Sequence, residues 1–208
     1  MINVLCYGDS NTWGYKPGIG ERYSYDERWT GVLKNCLGNA YYIIEEGLNG
    51  RTTVWDDPID GYKNGKEYLI PCIVSHKPLD LVILMLGTND LKRRYSLPVC
   101  DIASGIENLI EVIQYPSLNN GTVPKILLLA PPKLGETAKS SELFEGGLEK
   151  SLKFHKYYYE VAKKYRCFYI DTSSIVTSSE IDGLHLEASE HKKLGKALAT
   201  MVKDIFNH

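Results

Sequence analysis

The chain has 208 residues, of which 43% are hydrophobic and 24% are charged, and its formal net charge is −2. This composition is typical of a globular protein long enough to bury a core, and it excludes a disordered chain. A near-neutral charge gives no support for a nucleic-acid partner, so the densest basic run, Lys92-Arg93-Arg94, is expected to be a solvated loop.

Short apolar segments alternate with longer segments of helical periodicity along the chain. The predicted strands are Asn3–Tyr7, Tyr41–Glu45, Leu79–Leu86, Lys125–Ala130 and Cys167–Asp171. The predicted helices are Arg28–Leu37, Gly65–His76, Ile102–Gln114, Glu142–Tyr165 and Glu187–Phe206. Strands that alternate with helices predict a parallel sheet with helices on both faces. We therefore expect a single domain over residues 1–208, with a three-layer α/β/α fold and the flavodoxin-like strand order 2-1-3-4-5.

The cysteines and the lengths of the apolar runs indicate in which cellular compartment the protein is expected. The cysteines are scattered, odd in number and never spaced as Cys-x-x-Cys: Cys6, Cys36, Cys72, Cys100 and Cys167. This pattern predicts neither a disulfide framework nor a zinc site. No apolar run approaches the roughly 20 residues of a membrane span, and the first residues do not resemble a secretion leader. We expect a reduced cytoplasmic protein without a membrane partner.

Two glycine-led polar segments leave the first and third predicted strands. They are Gly8-Asp9-Ser10-Asn11 and Gly87-Thr88-Asn89-Asp90. In a sheet of this order, ligands bind beyond the carboxyl ends of the strands, at the switch point between these two strands. Ser10 is therefore a candidate nucleophile, although Gly-Asp-Ser by itself is equally typical of a turn or a helix cap.

A candidate base lies between the last strand and the last helix, in Asp182-Gly183-Leu184-His185. An Asp three residues before a His can accept the Nδ1–H of the imidazole, which leaves Nε2 free to take a serine proton. A solvated loop or a helix cap is the alternative interpretation. A metal site is disfavoured, because no second His or Cys lies nearby at ligand spacing.

Acyl transfer also needs hydrogen-bond donors for an oxyanion. The candidates are the backbone N–H groups of Ser10 and Gly50 and the side-chain amide of Asn89. Asn49-Gly50 is also a strong turn dipeptide, and Asn89 is also compatible with a turn. Four such segments after strands 1, 2, 3 and 5, all at one edge of the sheet, favour a common catalytic site over four independent turns.

These segments resemble, in the same order, the four blocks of the SGNH (GDSL) hydrolase superfamily. The resemblance implies Ser10 as the nucleophile and Asp182 and His185 as the rest of a triad. It also implies an oxyanion hole formed by Ser10, Gly50 and Asn89. Gly47 competes for the second block, and Gly50 is preferred because Gly50-Arg51-Thr52 better matches the family's Gly-x-Thr segment.

Longer runs resemble the arylesterase and acyltransferase subgroup, which includes proteins similar to acetylxylan esterases. These runs are Gly8–Gly14, Arg28–Leu33, Glu45–Thr53 and Phe144–Gly147. The resemblance implies a serine esterase for short-chain, mainly acetyl, esters that forms an acyl-enzyme, needs no cofactor, transfers acyl groups to some alcohols and assembles as a homo-oligomer. A carbohydrate O-acetylesterase is the first alternative, and a non-catalytic flavodoxin-like binding module is the second.

The neighbours of Ser10 are candidates for a substrate pocket, namely Asp9, Asn11 and Trp13. Aromatic residues such as Trp13 and Tyr15 serve equally well as a pocket wall or as core packing. Arg51 is expected to pair with Asp56 or Asp57 rather than to contact substrate.

Overall fold

A computed structural model describes residues 1–207, and its centre is a five-stranded sheet. The strands are β1 (Ile2–Gly8), β2 (Tyr41–Gly47), β3 (Leu81–Met85), β4 (Lys125–Ala130) and β5 (Phe168–Asp171). Every neighbouring pair is parallel, and the order is β2-β1-β3-β4-β5. The predicted fold class and strand order are confirmed.

Helices cover both faces of the sheet. They are α1 (Ser10–Trp13), α2 (Trp29–Leu37), α3 (Gly65–His76), α4 (Val99–Ile113), α5 (Gly147–Ser151), α6 (Phe154–Tyr165) and α7 (Ala188–Asn207). The one-turn helix α1 was not predicted, because four residues are too few to show a helical period. Within residues 1–207, no helix combines the length and the apolar character that crossing a membrane requires.

Two helix predictions need correction. The segment Glu142–Tyr165 is not one helix but a 3-10 turn followed by α5 and α6. Its interruption follows from Ser151, whose hydroxyl donates to the carbonyl of Leu148 and accepts the N–H of Leu134, so that this turn is held to a distant loop. Helix α4 begins three residues before the predicted Ile102, because the carbonyl of Pro98 accepts the first helical N–H groups.

Alternate residues of β1 enter two separate cores. Val4 and Cys6 pack with α2 and α7 on one face, and Leu5 and Tyr7 pack with α3, α4 and α6 on the other. All five residues of β3 are buried, as expected for a central strand that is covered on both faces. The helices therefore shield both faces and leave the carboxyl ends of the strands open.

Strand register brings these carboxyl ends to one level. Gly8, at the end of β1, lies opposite Gly47 of β2 and Met85 of β3. The segments that follow these three strands consequently begin side by side, at the edge where the sheet order predicts a binding site.

Candidate active site

Ser10 is the first residue of α1 and follows β1 after a single intervening residue. That residue, Asp9, caps the helix, and its carboxylate accepts the N–H of Asn11 at 3.0 Å. The carbonyl of Asp9 accepts the N–H groups of Thr12 and Trp13, which closes the turn. The backbone of Ser10 is therefore held firmly at the end of the central strand.

His185 and Asp182 complete a hydrogen-bonded chain with Ser10. The Nε2 atom of His185 lies 3.0 Å from Ser10 Oγ, and its Nδ1 atom lies 2.7 Å from Asp182 Oδ2. Asp182 Oδ1 also accepts the N–H groups of Leu184 and His185, at 2.9 and 3.0 Å. Burial alone would raise the pKa of Asp182, but these hydrogen bonds outweigh it and lower the pKa below its ordinary value. An ionised Asp182 keeps the proton on Nδ1 and turns the Nε2 lone pair towards Ser10.

Asn11 fixes the loop that carries His185. Its amide nitrogen donates to the carbonyl of Leu184 at 3.2 Å, and its amide oxygen accepts the N–H of Leu186 at 3.0 Å. These bonds hold both neighbours of His185 against α1. Asn11 was expected to contact substrate, and the structure instead gives it this bridging position.

The structure does not bring Asp9, Asn11 or Trp13 into the lining of the cleft above Ser10. Asp9 and Asn11 are buried, and their side chains hydrogen-bond to backbone groups. The Trp13 ring packs under the guanidinium of Arg22, whose central carbon lies 5.3 Å from the ring centroid. This placement corrects the prediction that the three residues form the substrate pocket. Residues next to a nucleophile in sequence point in other directions when the nucleophile opens a helical turn.

The three candidate oxyanion donors border the same space. Asn89 donates one amide hydrogen to the carbonyl of Arg51 at 3.1 Å, which leaves its second hydrogen available. The N–H groups of Ser10 and Gly50 donate to no acceptor in residues 1–207. Gly50 has a φ of 81°, which favours glycine, and it lines the cleft. Gly47 does not line it, because it packs against the backbone of α1, where an added Cβ would lie 2.2 Å from Trp13 N.

The cleft over Ser10 has a volume of about 230 Å³. Its lining includes Ser10, His185, Gly50, Asn89, Asn49, Thr88, Lys92, Leu143, Phe144, Leu184 and Tyr15. The Tyr15 ring stacks on the His185 imidazole, with centroids 4.1 Å apart and planes inclined by 27°. Sequence reasoning gave no place in the cleft to Lys92 or Leu143, because no local pattern shows that their loops reach the segments that carry Ser10 and His185. A cleft of this size suits a small acyl group.

The expectations for Lys92 and Arg51 are wrong, whereas Arg93 and Arg94 of the same basic run are exposed as expected. Lys92 is not solvated but 5% exposed, and it pairs with Asp57. Arg51 pairs with neither Asp56 nor Asp57; its guanidinium is buried and donates to the carbonyls of Gly8 and Glu46. Arg51 therefore ties the end of β1 to the end of β2, below the site.

Two buried carboxyl groups lie at the ends of β1 and β3. Burial raises the pKa of Asp9 to about 6 and that of Asp90 to about 7, although hydrogen bonds from Asn11 and Thr53 act in the opposite direction. The charge of Asp9 adds to the shift of Asp90. Ionising either group in the folded protein costs free energy, so both link stability to pH.

One group of possible metal ligands lies outside the cleft. In the described part of the chain, the donor atoms of Glu46, Cys72 and His76 all lie within 4.8 Å of one another. His76 Nε2 and Glu46 Oε1 already contact each other at 2.8 Å, and burial raises the pKa of the Cys72 thiol to about 12. None of the three lines the cleft of Ser10.

Comparison with known proteins places this geometry in a family context. The model of the GDSL-like lipase/acylhydrolase family matches residues 6–193. Comparison with curated protein sequences gives no match.

Solved structures cover essentially the whole chain. Est24, a carbohydrate acetylesterase from Sinorhizobium meliloti, is 39% identical, with a TM-score of 0.94, and the match covers 99% of this chain and 100% of that one. The inhibitor-bound aryl esterase of M. smegmatis is 38% identical, with a TM-score of 0.94 and coverage of 98% and 99%. A putative arylesterase from Agrobacterium tumefaciens str. C58 is 36% identical, with a TM-score of 0.93 and coverage of 99% and 100%.

Proposed function

This chain belongs to the GDSL-like lipase/acylhydrolase family, and from that premise we propose that it is a serine esterase for short-chain carboxylic esters, acetyl esters above all. The observation that carries the proposal is the pair of contacts at His185, 3.0 Å to Ser10 Oγ and 2.7 Å to Asp182 Oδ2. A base held between a hydroxyl and a carboxylate is the arrangement that activates a serine nucleophile.

Acylation begins when His185 Nε2 takes the proton of Ser10 Oγ. The oxygen then forms a bond to the ester carbonyl carbon, and the carbonyl electron pair becomes an oxyanion. The N–H groups of Ser10 and Gly50 and the free amide hydrogen of Asn89 stabilise this charge. As the intermediate collapses, the bond to the alcohol oxygen breaks, and His185 gives its proton to that oxygen.

Deacylation repeats these steps with water. His185 removes a proton from water, and the resulting hydroxide attacks the carbonyl carbon of the acyl-enzyme. Collapse of this intermediate breaks the bond to Ser10 Oγ, releases the carboxylic acid and returns the proton from His185 to Ser10 Oγ. If an alcohol takes the place of water, the product is a new ester, and we include such acyl transfer in the proposal. None of these steps involves a cofactor.

The small cleft supports the assignment to short acyl chains. Its volume of about 230 Å³ lies below the range for sites that hold drug-sized ligands, about 300–1,000 Å³. A series of aryl esters with acyl chains from acetyl to octanoyl tests this point. We expect kcat/KM to fall steadily with chain length, and an optimum at long chains contradicts it.

A carbohydrate O-acetylesterase is the second candidate, because one relative at 39% identity is a carbohydrate acetylesterase and another at 38% is an aryl esterase. Comparing kcat/KM for acetylated xylo-oligosaccharides with that for small aryl acetates separates the two. A large excess for the sugar esters selects the carbohydrate enzyme, and comparable rates select the general esterase.

Covalent trapping tests the nucleophile itself. An organophosphonate should label Ser10 of the folded protein, which mass spectrometry of the peptide detects, and Ser10→Ala should abolish both labelling and esterase activity. An unlabelled Ser10 contradicts the esterase proposal and favours a flavodoxin-like binding module, whereas full activity in Ser10→Ala contradicts the role of Ser10 as the nucleophile.

We also propose that residues 1–208 act as one domain that forms a homo-oligomer in the reducing cytoplasm. The five cysteines are free, which fits such a compartment. Light scattering coupled to gel filtration should give a mass that is a multiple of 23.5 kDa, and a monomer contradicts this part of the proposal.

A further inference from the structure

Lys92 places a buried ammonium group beside the proposed oxyanion hole. Its backbone N–H donates to the carbonyl of Asn89 at 3.2 Å, so it follows that residue by one tight turn. Its side chain is 6% exposed and lines the cleft together with Ser10. The ammonium nitrogen lies 3.8 Å from the point where a Cβ on Gly50 would stand. A cation is therefore located next to the backbone whose N–H is to bind the oxyanion.

The carboxylates near Lys92 are either shared with a second cation or exposed to solvent. Asp57 has a completely buried carboxylate, which lies 3.3 Å from Lys92 Nζ and 2.8 Å from Arg94 Nη1. Burial favours the neutral form of Asp57, but hydrogen bonds from Ile59, Asp60 and other groups outweigh it and keep its pKa well below the ordinary range. Two cations thus share one buried carboxylate, and of the two only Lys92 is buried, because the Arg94 side chain is 23% exposed. The carboxylate of Asp60 lies 3.6 Å from Lys92 but is 46% exposed, so solvent screens its charge.

We propose that Lys92 stabilises, through space, the negative charge that forms on the carbonyl oxygen when Ser10 attacks the ester. The inference rests on the proposed esterase function and adds a residue to it. The neutral ester of the ground state carries no charge for the Lys92 ammonium to attract, whereas the oxyanion does. An interaction that appears only in the transition state raises kcat and leaves substrate binding unchanged.

Two substitutions separate the charge of Lys92 from its shape. Lys92→Met keeps an unbranched side chain of similar length without the charge, and Lys92→Arg keeps the charge. We expect Lys92→Met to lower kcat about 10-fold, less than the about 10²- to 10³-fold cost of losing a direct oxyanion donor. We expect KM to stay close to the wild-type value and Lys92→Arg to retain most of the activity.

Inhibition constants distinguish charge stabilisation by Lys92 from a purely structural role, because a structural role would affect charged and neutral inhibitors alike. A small boronic acid adds to Ser10 as a tetrahedral anion, whereas the amide analogue of the substrate binds as a neutral ground-state mimic. In Lys92→Met, the inhibition constant of the boronic acid should rise by the same factor as kcat falls, and that of the amide should not change. Lys66→Met is the matched control, because the Lys66 ammonium bonds to Asn108 and does not line the cleft.

Several results overturn the inference. They are a kcat of Lys92→Met within twofold of the wild type, an effect on KM alone, equal weakening of both inhibitors, or a Lys92→Arg variant as impaired as Lys92→Met. Lys92→Met leaves the buried carboxylate of Asp57 without its Lys92 partner, and if this variant does not fold, Asp57→Asn removes that charge. The comparison is then between Asp57→Asn and the double variant Asp57→Asn/Lys92→Met. Failure of the esterase proposal itself gives a different result: the wild-type protein would neither cleave esters nor become labelled at Ser10.

Discussion

Replacing Asp182 by Asn changes only one atom of the hydrogen-bonded chain, and the surrounding donors determine the outcome. Asp182 Oδ1 accepts two backbone N–H groups, from Leu184 and His185, and Oδ2 accepts the imidazole Nδ1–H at 2.7 Å. In Asp182→Asn, the amide oxygen must stay at the two backbone donors, because turning the amide would direct its N–H₂ at them. The amide nitrogen then faces Nδ1 of the imidazole and donates to it.

This exchange forces His185 into the tautomer with its proton on Nε2. That nitrogen lies 3.0 Å from Ser10 Oγ and can no longer accept the serine proton. In a serine protease triad, the same substitution lowers kcat by about 10⁴-fold, which corresponds to about 5 kcal/mol of activation free energy. We expect a loss of this order with a small change in stability, since both backbone hydrogen bonds survive.

Steady-state hydrolysis of an aryl acetate measures the loss, and ¹⁵N NMR of the imidazole reports the tautomer directly. Asp171→Asn is the matched control, because Asp171 Oδ1 likewise accepts a backbone N–H, from Ser173 at 3.0 Å, without contacting an imidazole. The reasoning is refuted if Asp182→Asn loses less than about tenfold in kcat, or if His185 keeps its proton on Nδ1.

Three further predictions concern side chains around the site. The contribution of Asp90 to the free energy of unfolding should fall as pH rises from about 4 to about 7, because the folded protein holds a proton on Asp90 that the unfolded chain has released. In urea titrations, the stability of the wild type relative to Asp90→Asn should therefore decrease over this range, whereas Asp9 and His191, whose pKa values are also shifted, contribute to both proteins. Tyr15→Leu should lower kcat about 2- to 30-fold, because the stacked ring stabilises the His185 imidazolium. Asn11→Ala should lower the free energy of unfolding by about 1–3 kcal/mol, measured by urea unfolding, through loss of two hydrogen bonds to the His185 loop.

Each of these predictions has its own control. An unchanged pH slope in Asp90→Asn shows that another group governs it, and Asp80→Asn tests a carboxyl group outside the buried pair. Tyr15→Phe keeps the stacked ring and should stay close to the wild type; equal losses in both variants argue against stacking. A fully stable Asn11→Ala argues that the loop needs no bridge.

Local patterns predicted most of the architecture because strand and helix periods act over a few residues. The five strands and the segments Gly8-Asp9-Ser10-Asn11 and Asp182-Gly183-Leu184-His185 were readable in this way, and the strand order followed from the order that such sheets commonly adopt. The prediction of one helix over Glu142–Tyr165 was wrong because a local pattern does not record contacts between distant segments. Its break depends on Ser151 meeting Leu134, a contact between segments 17 residues apart.

The sequence by itself determined the fold class, the family and which residues are candidates for the chemistry, since these follow from apolar periodicity and from short motifs. Only the tertiary structure decided where side chains beyond those motifs point. It turned Asn11 towards the His185 loop, buried Lys92 beside Gly50 and gave Arg51 two carbonyl partners in place of a carboxylate. The physical reason is that burial and charge pairing depend on segments far apart in the chain, which no local pattern records.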